Sequence, residues 1–180
     1  VMGMSEYQTL PSLDNTGNDA TAMAATLKGI GFDVTLSVDA GVAEIEQLLE
    51  DFSFRSEVAD LALIYFAGHG IEVQGENFLI PVDAAVNSNL DVQRQSLSLK
   101  RLLGAVDRAR KMRIVILDSC RNNPLGDAIA LNSDTTEVTD AEGTRGAGGG
   151  MAAADPDRGT LVAFAARDGQ VALDGNGSNS

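Results

Sequence analysis

Two uninterrupted apolar runs, Leu61–Ala67 and Ile114–Leu117, constrain this chain more than any other feature. Each is far shorter than the roughly 20 residues a membrane-spanning helix needs. Short runs without alternation suit strands covered on both faces. The strands read from them are Ala59–Ala67 and Met112–Leu117. Each then runs into a chemically informative triplet, Gly68-His69-Gly70 in the first case and Asp118-Ser119-Cys120 in the second.

Helical stripes and smaller strands surround these two runs. Val1–Met4 reads as the end of a strand and Leu10–Gly17 as a turn-rich segment. A helix is predicted from about Asp19, with Met23, Leu27 and Ile30 at helical spacing and Gly31 as its stop. Val42, Ile45, Leu48, Leu49 and Phe52 mark a second helix, and Leu99, Leu102, Leu103 and Val106 a third. Phe32–Val38 alternates like a strand. Ile71–Val73 and Asn77–Ile80 flank Gln74-Gly75-Glu76 like a small hairpin. Thr160–Ala166 and Gln170–Leu173 are later strand candidates. Strands alternating with helices imply an α/β fold with a mostly parallel central sheet and helices on both faces. Ligands of such sheets bind beyond the carboxyl ends of the strands. His69 and Cys120 are therefore expected just past two strand ends, at one edge if the strands are parallel neighbours.

The chain has 180 residues, enough for one domain with a substantial core. Leu125–Arg158 is rich in Gly, Ala, Asp and Thr and reads as a flexible linker. It separates residues 1–124 from residues 159–180. The formal net charge of −13 argues against a nucleic-acid partner, because phosphate binding needs a basic footprint. A negative surface favours encounter with cationic substrates, or it serves solubility alone. The first residues lack the basic stretch and long apolar run of a signal peptide.

There is one cysteine and one histidine, which excludes an internal disulfide and argues against a zinc site built from Cys and His. Any Cys–His chemistry must use this one pair. A free thiol, with a pKa of about 8.5, is mostly protonated at neutral pH. A neighbouring imidazole favours the thiolate and can later protonate a leaving amine. A developing oxyanion needs fixed donors. The N–H groups of Gly70 and Cys120 are the natural candidates. The plainer alternatives are a cysteine that is a small buried hydrophobe and a histidine that is a loop residue.

Tyr65-Phe66-Ala67-Gly68-His69-Gly70 and Leu117-Asp118-Ser119-Cys120-Arg121-Asn122-Asn123-Pro124 resemble the two active-site segments of caspase-like cysteine peptidases of the metacaspase and bacterial orthocaspase type. Asn18-Asp19-Ala20 and Asn77-Phe78-Leu79-Ile80-Pro81-Val82-Asp83 are also similar to the bacterial branch. The histidine precedes the cysteine by 51 positions, and about 50 is the spacing in caspases. The resemblance implies a caspase-like α/β/α sandwich and endopeptidase activity. It makes His69 the general base and acid, Cys120 the nucleophile, and Gly70 and Cys120 the oxyanion hole. It also makes residues 1–124 a large-subunit-like part and 159–180 the start of a small-subunit-like part.

Specificity is where the chain departs from true caspases, which carry Gln-Ala-Cys at the nucleophile. Metacaspases carry the same aspartate as Asp118, two residues before the cysteine, and Asp19 matches a metacaspase pocket residue. Asp174 falls where caspases place an arginine that binds substrate aspartate. Carboxylates in a pocket select a cation, and a guanidinium pairs with them at two points. The implied reaction is cleavage after Arg or Lys. Asp19 can equally cap the first helix, and Asp174-Gly175 can be a plain turn. Arg145-Gly146 and Arg158-Gly159 are candidate self-cleavage sites, with an uncut solvated loop as the alternative. The implied partners are proteins or peptides with basic residues. No loop has calcium-ligand spacing, and no metal or cofactor is carried over. A free catalytic thiol favours a reducing compartment, hence the cytoplasm. The competing function is a catalytically silent interaction module on the same fold. Retention of both His69 and Cys120 weighs against it.

Overall fold

The computed structural model describes residues 1–120 and 157–165. In chain order the first elements are β1 (Met2–Gly3), α1 (Thr16–Gly29), β2 (Ser37–Val38), α2 (Val42–Ser56), β3 (Leu61–Val73) and β4 (Glu76–Leu79). They are followed by α3 (Asn89–Gln95), β5 (Leu97–Ser98), α4 (Leu99–Val106), β6 (Met112–Cys120) and β7 (Thr160–Phe164). Strands β2, β1, β3, β6 and β7 lie side by side in that order, all parallel. The far end of β3 continues into antiparallel pairing with β4, and β4 with β5.

Pleat alternation sends successive side chains of β3 to opposite faces. Ile64 and Phe66 meet Ile45 and Leu49 of α2 and Leu102 and Val106 of α4 on one face, together with Val115 and Leu117 of β6. Tyr65 and Ala67 meet Ala20 of α1 on the other. Because both faces of β3 and β6 are covered, their sequences are continuously apolar rather than alternating. The result is an α/β/α sandwich with a mostly parallel sheet, as read from the sequence. No helix among the described residues is long and apolar enough to cross a membrane.

Several local expectations need correction. Only Ser37–Val38 of the stretch 32–38 is a strand. The ladder with β1 pairs only Met2 with Ser37 and Gly3 with Val38, and before it the Thr35 carbonyl accepts from the Val1 amino group at 3.0 Å, so alternation alone does not make a strand here. Helix α1 starts at Thr16, with Asn15 at the N-cap position. Asp19 is therefore inside the first turn and does not cap the helix. His69 and Cys120 lie within β3 and β6 rather than just past them, because backbone pairing continues through both triplets. Elements α3 and β5 had no counterpart in the sequence reading. The hairpin is as expected, with a turn at Gln74 and Gly75 that places both in the left-handed region, at φ 55° and 84°. Residues 170–173 lie outside the described residues, as does nearly all of the linker.

Candidate active site

The β3–β6 ladder pairs Leu61 with Met112 and proceeds residue by residue until His69 stands opposite Cys120. Adjacent strands are about 4.8 Å apart, so two residues 51 positions apart in the chain become lateral neighbours. Among the described residues this is the last pair of the ladder, and from Gly70 onward the opposite edge of β3 pairs with β4. The histidine thus sits where the sheet forks.

Backbone directions follow from the same ladders. The Ala67 carbonyl accepts from Met4 N–H (2.8 Å) and the His69 carbonyl from Ile80 N–H (3.0 Å). Alternation then points the Gly70 N–H the other way, toward β6. Ala165 N–H donates to the Leu117 carbonyl, so the Cys120 N–H points toward β3. Both candidate oxyanion donors therefore face the β3–β6 seam. In this register they stand opposite the Cys120 and Gly68 carbonyls.

The His69 imidazole is buried, and Nε2 lies 2.8 Å from the Pro11 carbonyl. A carbonyl only accepts, so Nε2 carries the proton. The Tyr7 hydroxyl accepts the His69 backbone N–H at 2.8 Å, and the tyrosine ring lies 4.6 Å from the imidazole. A β-carbon at position 68 would come within 2.6 Å of the Tyr7 hydroxyl, so Gly68 makes room for this contact. Burial pushes the His69 pKa below its ordinary value, and the Pro11 hydrogen bond opposes part of that shift. A neutral ring protonated on Nε2 leaves a lone pair on Nδ1. That atom is buried and has no hydrogen-bond partner among the described residues.

The segment carrying Tyr7 and Pro11 is tied down along its length. Asp39 Oδ1 accepts from the N–H groups of Ser5 (2.6 Å) and Glu6 (3.0 Å). Gln8 N–H donates to the Val82 carbonyl (2.9 Å), and the Thr9 hydroxyl donates to the Ala84 carbonyl (2.7 Å). Val82 belongs to the motif Pro81-Val82-Asp83, whose Asp83 Oδ1 accepts the Val42 N–H at the start of α2 (2.9 Å). The part of that motif ending in Asp83 therefore has a structural task, satisfying a helix N-terminus and its dipole.

Asp118, two residues before Cys120, is half-buried and accepts a hydrogen bond from the Tyr65 hydroxyl at 2.9 Å. Asp19 is also half-buried, in the first turn of α1 above the same sheet face. Burial, then the charge and hydrogen bond of Asp118, then the charge of Asp19 push the Tyr65 pKa far above the usual phenol range. Two carboxylates thus act on one tyrosine. Asp174 and Arg145 lie outside the described residues. Arg158 is exposed in the turn entering β7, where Arg113 donates through Nη1 to its carbonyl (3.3 Å) and through its backbone N–H to the Gly159 carbonyl (3.0 Å). Sequence reading missed Tyr7, Pro11 and Tyr65. Of these only Tyr65 had a local signal, as a hydroxyl-bearing residue inside an otherwise apolar run.

Comparison with known proteins points in one direction. A family model described as the caspase domain, Peptidase_C14, matches residues 1–180. The human mucosa-associated lymphoid tissue lymphoma translocation protein 1 is 26% identical over 141 residues, covering 77% of this chain and 17% of the human protein. Its mouse homologue is also 26% identical, with 16% of its length covered. The chain thus spans less than a fifth of these relatives. Among solved structures, pro-Sf-caspase-1 aligns with a TM-score of 0.59 at 17% identity, covering 91% of this chain and 57% of that one. Protein GSU0716 from Geobacter sulfurreducens aligns with a TM-score of 0.63 at 15% identity, covering 99% and 75%.

Proposed function

The chain belongs to the caspase-domain family of cysteine peptidases, and on that premise we propose that it is an endopeptidase that cuts after Arg or Lys through His69 and Cys120. The observation that carries the reading is the register placing these two residues opposite each other in the β3–β6 ladder. The thiol proton passes to Nδ1 of His69, and the Cys120 sulfur attacks the scissile carbonyl carbon. The oxyanion draws on the N–H groups of Gly70 and Cys120. Collapse breaks the C–N bond, and the imidazolium returns its proton to the departing amine. Water, deprotonated by the same ring, then hydrolyses the thioester. The Pro11 carbonyl keeps the ring in the tautomer this sequence needs.

Asp118 and Asp19 supply the negative charge for a basic side chain. They flank the buried Tyr65 on the sheet face covered by α1, two residues from the nucleophile in the case of Asp118. Asp174 joins them in this reading as a third carboxylate. The metacaspase and orthocaspase branch, suggested by the words around His69 and Cys120, fits the same preference. Self-processing in the linker is part of the proposal, with Arg145 as its site. Arg158 is the weaker candidate, because its turn is held against β6 and peptide recognition at a sheet edge requires extended backbone.

The test uses short peptides carrying Arg, Lys or Asp before the scissile bond, with wild type and Cys120→Ala. The expected result is turnover after Arg and Lys by wild type and none by the variant. Equal cleavage by both would remove Cys120 from the mechanism, and preference for Asp would remove the carboxylate pocket. An intact wild type that cuts none of the peptides would favour the silent interaction module.

A further inference from the structure

We propose that Tyr65 is a positioning residue for substrate selection, its hydroxyl fixing the Asp118 carboxylate so that the other oxygen meets the Arg or Lys side chain. The inference rests on the aspartate pocket proposed above and adds the residue that orders it. Tyr65 sits on β3 two residues before Ala67, in the cluster formed with Ala20 of α1. Met23, Leu63 and Ile116 pack against this cluster and hold the ring in place. From that fixed ring the hydroxyl reaches across to the next strand and donates to Asp118 Oδ2 at 2.9 Å. One carboxylate oxygen is thereby committed, and the carboxylate plane is set.

An unheld aspartate has rotational freedom and loses it when a cation binds, which weakens binding. A carboxylate already oriented by a charge-assisted hydrogen bond avoids that loss. The donor is also durable. Burial and the two neighbouring aspartates oppose formation of a phenolate, so the hydroxyl keeps its proton across the working pH range. A buried phenol needs a partner in any case. A purely structural role therefore predicts a stability change without a change in cation affinity, and the two roles separate experimentally.

The experiment compares wild type, Tyr65→Phe, Asp118→Asn and the double variant. It measures kcat and KM on an Arg peptide, the inhibition constant of benzamidine as a free cation, and the melting temperature. Tyr65→Phe is expected to raise both KM and the benzamidine constant about tenfold while kcat stays within about twofold. Added to Asp118→Asn, the same change is expected to have no further effect on either constant, since its target carboxylate is gone. Unchanged KM and benzamidine constant in Tyr65→Phe overturn the proposal, whether or not the melting temperature falls. So does full additivity in the double variant. Loss of kcat alone reassigns Tyr65 to the reacting centre and also overturns it. If wild type fails to cleave Arg and Lys peptides, the underlying reading falls and takes this one with it. If it cleaves them and Tyr65→Phe matches it, only this inference falls.

Discussion

The imidazole of His69 is governed by burial and by one backbone carbonyl, with no charged side chain among the described residues holding it protonated. Its acid form is disfavoured, so the acid limb of kcat/KM should lie below the ordinary histidine value of about 6.5. Stability carries the same sign. The unfolded chain takes up the proton first as pH falls, so the folded state loses stability from the ordinary value downward, until the folded ring also titrates. The denaturation midpoint of wild type should fall between about pH 7 and pH 5, and His69→Gln should remove that part of the slope. A slope identical in the variant would show that other groups set it. His69 and Cys120 could be singled out from sequence because each follows an apolar run. Pro11 and Tyr7 could not, since they reach His69 from 58 and 62 positions away and nothing local marks a carbonyl or a hydroxyl as its partner.

Elements formed where apolar spacing and tertiary cover agreed. Helices α2 and α4 lie where the stripes of Ile45 and Leu49 and of Leu102 and Val106 placed them. The stretch before β2 alternates like a strand but pairs with β1 only at Ser37 and Val38, which no alternation pattern reveals. The seat of α1 is another tertiary matter. A β-carbon on Gly3 would come within 2.6 Å of both the Ala20 β-carbon and the Thr16 carbonyl. Neither group can swing aside, so Gly3→Ala must push α1 away from β1. The expected cost is about 1–3 kcal/mol, measured by chemical denaturation. A neutral result would mean that α1 can shift freely. Because Asp19 rides on α1, the same variant should also weaken binding of Arg peptides.

Across the whole molecule, negative charge is in excess, at −13. The ion pairs among the described residues, such as Arg55–Asp33, Arg101–Glu46 and Lys111–Asp60, involve substantially exposed side chains. Such pairs contribute little, so net repulsion should dominate the response to salt. Raising NaCl from about 10 mM to about 300 mM should raise the melting temperature. The same screening should lower kcat/KM for cationic peptides by slowing encounter. A melting temperature that falls with salt would show that the surface pairs outweigh the repulsion.

The architecture was legible in the sequence, because two short apolar runs without alternation suit strands covered on both faces and the helical stripes between the strands supply that cover. Sequence also singled out the one thiol and the one imidazole, each following such a run. Tertiary structure alone decided which carbonyl holds the imidazole proton, which hydroxyl steadies Asp118, and where α1 sets Asp19. These are contacts between distant segments, and they depend on ladder register and helix seating at the scale of an ångström, finer than any pattern of residue types encodes.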